Sequence, residues 1–448
     1  MRIEGETALR LIAVVFVVAG LASGAWLGLK HTQGFASPLD RIENLTLDWR
    51  FLLAGPRPAP PGVAIVAIDD ETVTEAEGHA VSRELLARIV RAIVEARPRA
   101  VALDFAFPDP KGEQADEELA AALKSTASVV ASIGIFGQDE RSAEEPQSAD
   151  FTLAPKPSQV LWPIDPIKNA AETGLANVST DSSGVPRYVP MLFEPPDTIV
   201  PSFVLAAASA AAGADPVIGP DTVKVAGRTT VLDLGYHLPI RYYGPSGSFA
   251  QLSAVGLLRG DIDLAPLRGQ LVLVGLTASG FGDTFATPFD RVAPGVEIVA
   301  TAVSNLLSGE TLARTRSTRQ IDAAMAAGLP AAMIGLMAMR RAAVGLVVAA
   351  LVFILWALFV FLLHARLLAQ RRPAADDDHP PLRRICRRPL PRRAAGGKAA
   401  RVGKGHAGQV SVAHSGRSPP PAAAFSRPAG PAGRRGDVPR FVRFDRHG

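Results

Sequence analysis

Residues 268–309 read RGQLVLVGLTASGFGDTFATPFDRVAPGVEIVATAVSNLLSG and set the fold class of this chain. The apolar run LVLV at 271–274 is typical of a strand that is buried on both faces. A loop rich in Gly, Ser and Thr follows. After Pro294 and Gly295 comes a helix with an apolar face made by Val296, Val299, Val303 and Leu306. Strand, polar loop and amphipathic helix form an α/β unit, in which ligands bind beyond the carboxyl end of the strand.

Two earlier strands have a similar apolar composition and are associated with carboxylates. Residues 63–68 read VAIVAI and precede Asp69 and Asp70, while residues 101–105 contain Asp104. Between them, Ser82 is placed to cap a helix whose inner face carries Leu85, Leu86, Ile89, Ile93 and Val94. This strand–helix–strand order predicts a parallel pair joined by a right-handed crossover.

The elements that follow continue this alternation. We predict a helix at 116–123, an apolar strand at 128–135 and a polar surface loop at 138–159. A Gly/Ser turn at 181–184, a strand at 187–193, an apolar helix at 201–212 and an extended segment at 238–243 follow. The predicted fold class is therefore α/β. We expect a single domain over residues 35–310, with a mixed, largely parallel sheet flanked by helices.

Three apolar segments have the length and composition of membrane spans. Residues 9–29 carry Arg10 as their one charge, residues 321–339 carry Asp322, and residues 342–364 are strongly apolar. A secretory signal peptide is the alternative for the first segment, although its apolar core is longer than usual. With residues 1–8 in the cytoplasm, the domain would lie outside the cytoplasm.

Glycines recur every four residues in the first apolar segment, at Gly20, Gly24 and Gly28. Small residues at this spacing permit close packing of helices, so they form a candidate homodimer face. Trp49, which follows this segment, either anchors at the membrane surface or packs against the domain, and we favour packing.

The tail, residues 371–448, carries the positive charge of the chain. It has 18 Lys and Arg against 5 Asp and Glu, a net +13, whereas the whole chain carries +4, which leaves −9 for the remainder. The basic pI therefore does not indicate nucleic-acid binding by the folded part, and no nucleic-acid partner is expected. Cys386, the one cysteine, also lies in the tail, so the body has no disulfide and no thiolate metal site.

This tail is dense in Arg, Pro, Gly and Ala and has no apolar periodicity, which predicts disorder. One interpretation is a basic segment lying on anionic lipid. The interpretation that we favour is a coding sequence read out of frame. Three spans would also place the basic tail outside the cytoplasm, against the positive-inside rule, so either one span is miscounted or another is missing near residues 366–378.

Several stretches together resemble the type-two CHASE domain, an extracytoplasmic sensor. They are LTLDWRFLLAGPRP, VAIVAIDD, ALDFAF, ANVSTDSSGVPRYVP, YYGPSGSF and the segment 268–309, and their order and spacing extend over residues 45–309. Members of this family precede class III adenylate or guanylate cyclases, histidine kinases and other bacterial outputs, typically through three membrane helices. The resemblance implies a multi-pass receptor of the bacterial inner membrane whose sensor faces outward.

The sequence departs from the family pattern at two places. GHAVSRELL stands where the family usually has a Trp-Pro-rich segment, and two spans with no recognisable output domain follow the sensor. We therefore interpret the chain as an output-less remnant and expect no enzymatic activity from it as given. One alternative is a cyclase or sensor kinase whose catalytic domain is lost or frameshifted here. Another is a non-signalling structural membrane protein.

The candidate ligand site lies where the predicted strands end. It consists of six carboxylate and hydroxyl residues: Asp69, Asp70, Asp104, Thr277, Asp283 and Thr284. Because the carboxyl ends of parallel strands meet at one edge of a sheet, these residues are candidates for a shared pocket. A cationic or polar ligand, or a hard cation such as calcium, would suit it. The alternative, which we favour, is structural, since such carboxylates commonly cap helices and close turns.

Motifs for catalysis are absent from the sequence. It contains no Gly-Lys-Ser/Thr phosphate loop, no Gly-x-Ser-x-Gly nucleophile motif and no histidine arrangement that indicates a triad. We therefore predict no catalytic residue, no resident metal and no cofactor. The expected partners are the lipid bilayer, an unknown extracytoplasmic ligand and a second copy of the chain.

Overall fold

The computed structural model describes residues 2–33, 38–76, 81–137, 154–312 except positions 182, 197 and 220, residues 319–325, and scattered positions between 328 and 358. The chain divides into two compact units, and every described residue lies in the first, which contains residues 1–370.

The helices of the described residues begin with two long ones and continue through the α/β body. They are α1 Arg2–Gln33, α2 Pro38–Ala54, α3 Asp70–Glu75, α4 Arg83–Glu95, α5 Glu113–Lys124, α6 Asp165–Lys168, α7 Phe203–Ala212, α8 Ala254–Arg259 and α9 Gly295–Ser308. Short 3-10 turns occupy Leu234–Tyr236 and Ala265–Leu267, and residues 319–325 are helical.

The strands are mostly short outside the central sheet. They are β1 Val63–Ile68, β2 Ala100–Ala106, β3 Ser128–Ile135, β4 Gln159–Leu161, β5 Glu172–Leu175, β6 Tyr188–Pro190, β7 Leu192–Phe193, β8 Val200–Pro201, β9 Val217–Ile218, β10 Thr222–Val225, β11 Arg228–Val231, β12 His237–Pro239, β13 Ala250–Ser253, β14 Leu271–Leu276, β15 Thr284–Phe285 and β16 Ala293–Pro294.

A seven-stranded sheet organises the body. Its strand order is β13-β1-β14-β2-β3-β4, with β5 also paired to β3, and all of these pairs are parallel except β3 with β4. This confirms the predicted α/β class with a mixed, largely parallel sheet. The predicted neighbour relation of β1 and β2 is wrong, because β14 lies between them and pairs with both.

The strand β14 is central because both of its faces are apolar and buried. Leu271 and Leu273 belong to one core, together with α7 and α9, while Val272 and Val274 belong to the other, together with α4, α5 and α8. All four side chains have no exposed surface. A strand of this composition is stable only inside a sheet that is covered by helices on both sides.

Gly275 lets α9 approach β14 closely. A Cβ atom at this position would lie 2.7 Å from Cβ and Cγ2 of Val296, in the first turn of α9. Because Val296 is β-branched and fully packed, it has little freedom to move aside. The absence of a side chain at Gly275 therefore fixes how the helix follows the loop after β14.

The helix α2 is attached to the body through one face. Arg187 donates two hydrogen bonds to the carboxylate of Asp48, at 2.7 and 2.9 Å, and one to Asp181, at 2.5 Å. Asn44 also donates to Asp181, and Phe51 is buried in the core. Trp49 points away from this contact and is 60 % exposed, so the prediction that it packs against the domain is wrong.

Most of the predicted elements are present. The strands at 63–68 and 128–135 have the predicted bounds, and Ser82 caps α4 by accepting a hydrogen bond from the Leu85 backbone. The segment 187–193 is two short strands, because β6 pairs with β12 whereas β7 pairs with β8. Most of the predicted surface loop at 138–159, namely residues 138–153, lies outside the described residues, as does the tail at 371–448.

Among the residues that the structure describes, no helix combines the length and the apolar character that a membrane span requires. The first predicted span, residues 9–29, lies within α1 and is helical as expected, but its crossing of a membrane stays a prediction. Residues 321–325 of the second are helical, and most of the remainder, like most of the third at 342–364, lies outside the described residues.

Gly28 packs within the chain. A Cβ atom there would lie 3.0 Å from the backbone of Ala323, in the helical segment 319–325. Gly28 therefore permits close contact between α1 and this segment, which is the role that small residues have in packed helix pairs. At Gly28, the candidate homodimer face is occupied by the chain itself.

We predict that Arg187→Met lowers the free energy of unfolding by about 3–5 kcal/mol, because it leaves Asp48 and Asp181 without their buried cation. The change should appear as a lower midpoint of thermal unfolding of the full chain. Arg259→Met is the matched control, since Arg259 also contacts two carboxylates, Glu71 and Glu75, but on the exposed surface. Equal shifts for the two variants would contradict the anchoring role of Arg187.

Candidate functional site

The carboxyl ends of β1, β14 and β2 lie side by side in the sheet. Asp69 and Asp70 follow β1, the segment 277–283 follows β14, and Asp104 lies near the end of β2. The sheet topology therefore brings the predicted site residues to one edge, with the loop after β14 between the two groups of carboxylates. We call residues 277–290 the β14 loop.

Asp69 has a structural role at this edge. Its carboxylate caps α3 by accepting hydrogen bonds from the backbone nitrogen of Thr72 at 2.9 Å and from its hydroxyl at 2.6 Å. Burial acts to raise the pKa of Asp69, but the hydrogen bonds from Thr72 outweigh it and the net pKa is lowered. The carboxylate is thus held ionised by the helix that it caps.

Asp70 holds the β14 loop. Its carboxylate accepts hydrogen bonds from the backbone nitrogen of Ser279, at 2.7 Å, and from the Ser279 hydroxyl, at 3.2 Å. Thr277 contributes its backbone nitrogen, which donates to the carbonyl of Ile68 at 3.0 Å, and Ala278 donates to the same carbonyl. The start of the loop is therefore fastened to the end of β1.

Asp104 is a half-buried carboxylate at the end of β2, and the charge of Asp283 contributes to its pKa. Burial, and second the negative charge of Asp283, raise the pKa of Asp104 to about 6. Asp104 lies where the register between β2 and β3 shifts, between Leu103 and Ala106, and such bulges redirect side chains at sheet edges. The causes that shift the pKa of Asp104 include no hydrogen bond.

The second half of the β14 loop leads directly into α9. Thr284 is exposed and pairs through its backbone with Pro294, in the β15–β16 ladder. The carbonyl of Asp283 accepts a hydrogen bond from the backbone nitrogen of Gly295 at 2.8 Å, at the first residue of α9. This hydrogen bond attaches the loop to the beginning of the helix.

The edge is open rather than enclosed. A surface depression of about 560 Å³ adjoins it and is lined by Asp70, Glu71, Thr74, Glu75 and Arg259, so Asp70 alone of the predicted site residues contributes to it. No group of three or more His, Cys, Asp or Glu side chains with metal-binding geometry occurs among the described residues. A small ligand at Asp104 and Asp283 would bind at the surface.

Aromatic contacts connect the β14 loop to α2, and sequence analysis missed them. Phe289, near the end of the loop, lies 6.2 Å from Phe51 of α2 between ring centroids, in an edge-to-face arrangement. Phe51 also contacts Tyr242 edge to face at 6.1 Å. Helical periodicity places Phe51 on the same face of α2 as Leu47, four residues earlier, and Leu47 packs on the same core.

Two carboxylates, one at the end of the β14 loop and one in the first turn of α9, bind the turn in the stretch YYGPSGSF. Asp290 accepts a hydrogen bond from the Ser246 backbone at 2.5 Å, and Glu297 accepts from the Gly247 backbone at 3.0 Å. Burial raises the pKa of Glu297, although the hydrogen bond from Gly247 opposes this. These two acids fix the end of the β14 loop and the first turn of α9 to the same turn.

An ion pair joins the segment between α2 and β1 to the segment that follows α9. Arg57, three residues after α2, contacts Glu310, just after α9, at 2.5 Å, and its guanidinium lies 4.1 Å from the ring centroid of Tyr243. Arg241 also contacts Glu310, at 3.4 Å. Glu310 therefore connects the end of α9 to the segment through which α2 leads into the sheet.

A family model described as CHASE2 domain matches residues 14–339, which is well over half of the 448 residues. The match extends beyond the predicted domain at 35–310 on both sides, into α1 and the segment 319–325. Neither the curated proteins nor the solved structures contain a significant match. The resemblance to the type-two CHASE domain is confirmed.

We predict that Asp104→Asn stabilises the protein at neutral pH and leaves it unchanged near pH 4. The pKa of Asp104 is about 6 in the folded chain, above the roughly 3.9 of an unfolded aspartate, so the folded state binds the proton more tightly between these values. The free energy of unfolding therefore falls as the pH rises through this window, and the substitution removes that fall.

The measurement is the midpoint of thermal unfolding at pH 4 and pH 7.5 for both chains. Asp69→Asn is the matched control. It should lower the midpoint at pH 7.5, because the pKa of Asp69 is lowered and its ionised form stabilises α3. An Asp104→Asn midpoint at pH 7.5 equal to or below that of the wild type would show that Asp104 is not a strained carboxylate.

Proposed function

We propose that this chain, which belongs to the CHASE2 domain family, is the sensing part of a membrane-bound signal receptor. CHASE2 is a sensory domain. In this proposal the body lies outside the cytoplasm of a bacterial cell, multiple helices anchor it in the inner membrane, and an extracytoplasmic ligand binds at the β14 loop. The chain itself performs no catalysis, and its output is a change in helix arrangement.

The lipid bilayer is the partner that we propose for α1. Its apolar side chains Leu11, Ile12, Val15 and Phe16 are between 54 and 66 % exposed. Successive residues of a helix point about 100° apart, so these side chains cover more than one side of α1. An apolar surface of this kind is favoured in hydrocarbon and disfavoured in water.

One observation carries the sensing proposal: the β14 loop contacts both segments through which the body joins its flanking helices. Phe289 reaches α2, which follows α1, and Asp283 reaches the first residue of α9, whose exit leads towards the segment 319–325. A ligand that reorders this loop changes contacts with both segments at once. The ion pair of Arg57 with Glu310 joins the segments that follow α2 and α9, which supports a common response of the two helices.

The ligand site in this proposal centres on Asp104 and Asp283, with Thr277 and Thr284 as neighbouring hydroxyls and Asp69 and Asp70 as its structural border. Two carboxylates at the same sheet edge, one of them with a raised pKa, favour a ligand that brings positive charge or several donors. A cationic metabolite or a hard cation has this chemistry. Binding of positive charge would stabilise the ionised form of Asp104, which burial and, second, the charge of Asp283 disfavour.

We expect ligand binding at the β14 loop to stabilise α2 through the contact of Phe289 with Phe51. In the full chain in lipid nanodiscs, calcium, magnesium and a panel of cationic metabolites serve as probes. A probe that binds should raise the midpoint of thermal unfolding and slow amide hydrogen exchange in residues 43–54. Asp283→Asn should lose both effects, because it removes one charge of the pair.

Phe289→Leu should keep the rise in midpoint and lose the slowing of exchange in α2, because it removes the aromatic contact without touching the carboxylates. Phe136→Leu is the matched control, since Phe136 is half-buried in a separate small core. A stabilising probe that acts equally on Asp283→Asn, or that slows α2 equally in Phe289→Leu, would contradict the proposal.

A further inference from the structure

The outer face of α2 is apolar and uncovered. Leu45, Trp49, Leu52 and Leu53 are 59, 60, 53 and 63 % exposed. Their spacing of four, seven and eight residues places them on one side of the helix. Single exposed apolar side chains are ordinary, but four adjacent ones make a patch on the order of a few hundred Å², a size that commonly marks an interaction surface.

The opposite face of α2 shows that this orientation is fixed. Asn44, Asp48 and Phe51 lie three to four residues apart, and they bind the body through hydrogen bonds to Asp181, an ion pair with Arg187 and aromatic contacts. Rotation of the helix to bury Trp49 would break all of these contacts. The apolar stripe is therefore held outward by the fold.

We infer that the outer face of α2 lies on the lipid surface, as an interfacial helix that sets the body against the membrane. This inference rests on the proposed membrane attachment of α1. The occupant is lipid, and three features of the described residues favour it over a second copy of the chain.

First, α2 is tethered close to the apolar surface of α1. Five Cα–Cα steps join Gln33 to Pro38, and at 3.8 Å each they span at most about 19 Å. Trp26 and Leu29, near the end of α1, are 57 and 58 % exposed, so the exposed apolar surface continues to that end. The beginning of α2 therefore lies within about 19 Å of the end of α1.

Second, the chemistry of the stripe suits the interface. Its largest member is tryptophan, which is enriched at the boundary between hydrocarbon and water. The carboxylate of Asp48, next to Trp49 in the sequence, is held on the other face of the helix by Arg187. Arg50 lies beside the stripe, where its hydrogen bond to Thr46 leaves a cation next to the lipid headgroups.

Third, the stripe is small for a protein partner. Stable protein interfaces bury about 800 Å² on each side, whereas this face consists of four side chains over nine residues. A lipid surface has no such minimum, since the body is already tethered by α1 and each buried side chain adds to its attachment.

The test places a nitroxide label at Trp49→Cys or Leu53→Cys in the full chain with Cys386→Ser, in vesicles of phosphatidylcholine with a minority of phosphatidylglycerol. The measured quantity is the ratio of collision rates with oxygen and with a water-soluble nickel chelate. Val217→Cys is the matched control, because Val217 is an apolar residue of the body that is 51 % exposed. Phe16→Cys reports on α1.

We expect the ratio at positions 49 and 53 to be several-fold higher than at position 217 and to approach that at position 16. A high ratio at 16 with values at 49 and 53 like that at 217 would overturn the inference and leave the membrane proposal standing. A low ratio at 16 would overturn both. Spin–spin broadening at position 49 that disappears on dilution with unlabelled chain would show a second copy on this face, and would also overturn the inference.

Discussion

The burial of β14 on both faces is the constraint on which the rest of the structure depends. Leu271, Val272, Leu273 and Val274 have no exposed surface, and a strand of this kind is stable only between two other strands and two layers of helices. Its position between β1 and β2 puts the β14 loop at the middle of the carboxyl edge. Gly275 then lets α9 return over the same strand without a steric clash with Val296.

From this position the loop connects groups that are distant in sequence. Asp70 holds its beginning, the carbonyl of Asp283 bonds to the first residue of α9, and Phe289 packs on Phe51 of α2. Hydrogen bonds satisfy Asp69 and Asp70, whereas burial and, second, the charge of Asp283 raise the pKa of Asp104. In the proposed site, a ligand that stabilises the ionised form of Asp104 would act next to a loop that contacts both α2 and α9.

The local elements were predictable from sequence, and the neighbour relations were not. Continuous apolar runs gave the bounds of β1 and β3, and Ser82 marked the start of α4. Nothing in these patterns shows that β14 separates β1 from β2, because apolar runs alone do not select their partners. For the same reason Asp69 looked equivalent to Asp104, although hydrogen bonds from Thr72 occupy one and burial raises the pKa of the other. The outward direction of Trp49 is decided by the ion pair of Asp48 with Arg187, a contact across 139 positions.

We propose that the β14 loop and α2 move together because Phe289 packs on Phe51. A double-mutant cycle with Phe289→Leu, Phe51→Leu and the double variant measures this directly, as the coupling in the free energy of unfolding of the full chain. We predict a coupling energy of about 0.5–1.5 kcal/mol, as for edge-to-face aromatic pairs. Additivity of the two substitutions within about 0.3 kcal/mol, as for independent sites, would show that the loop and the helix are not coupled.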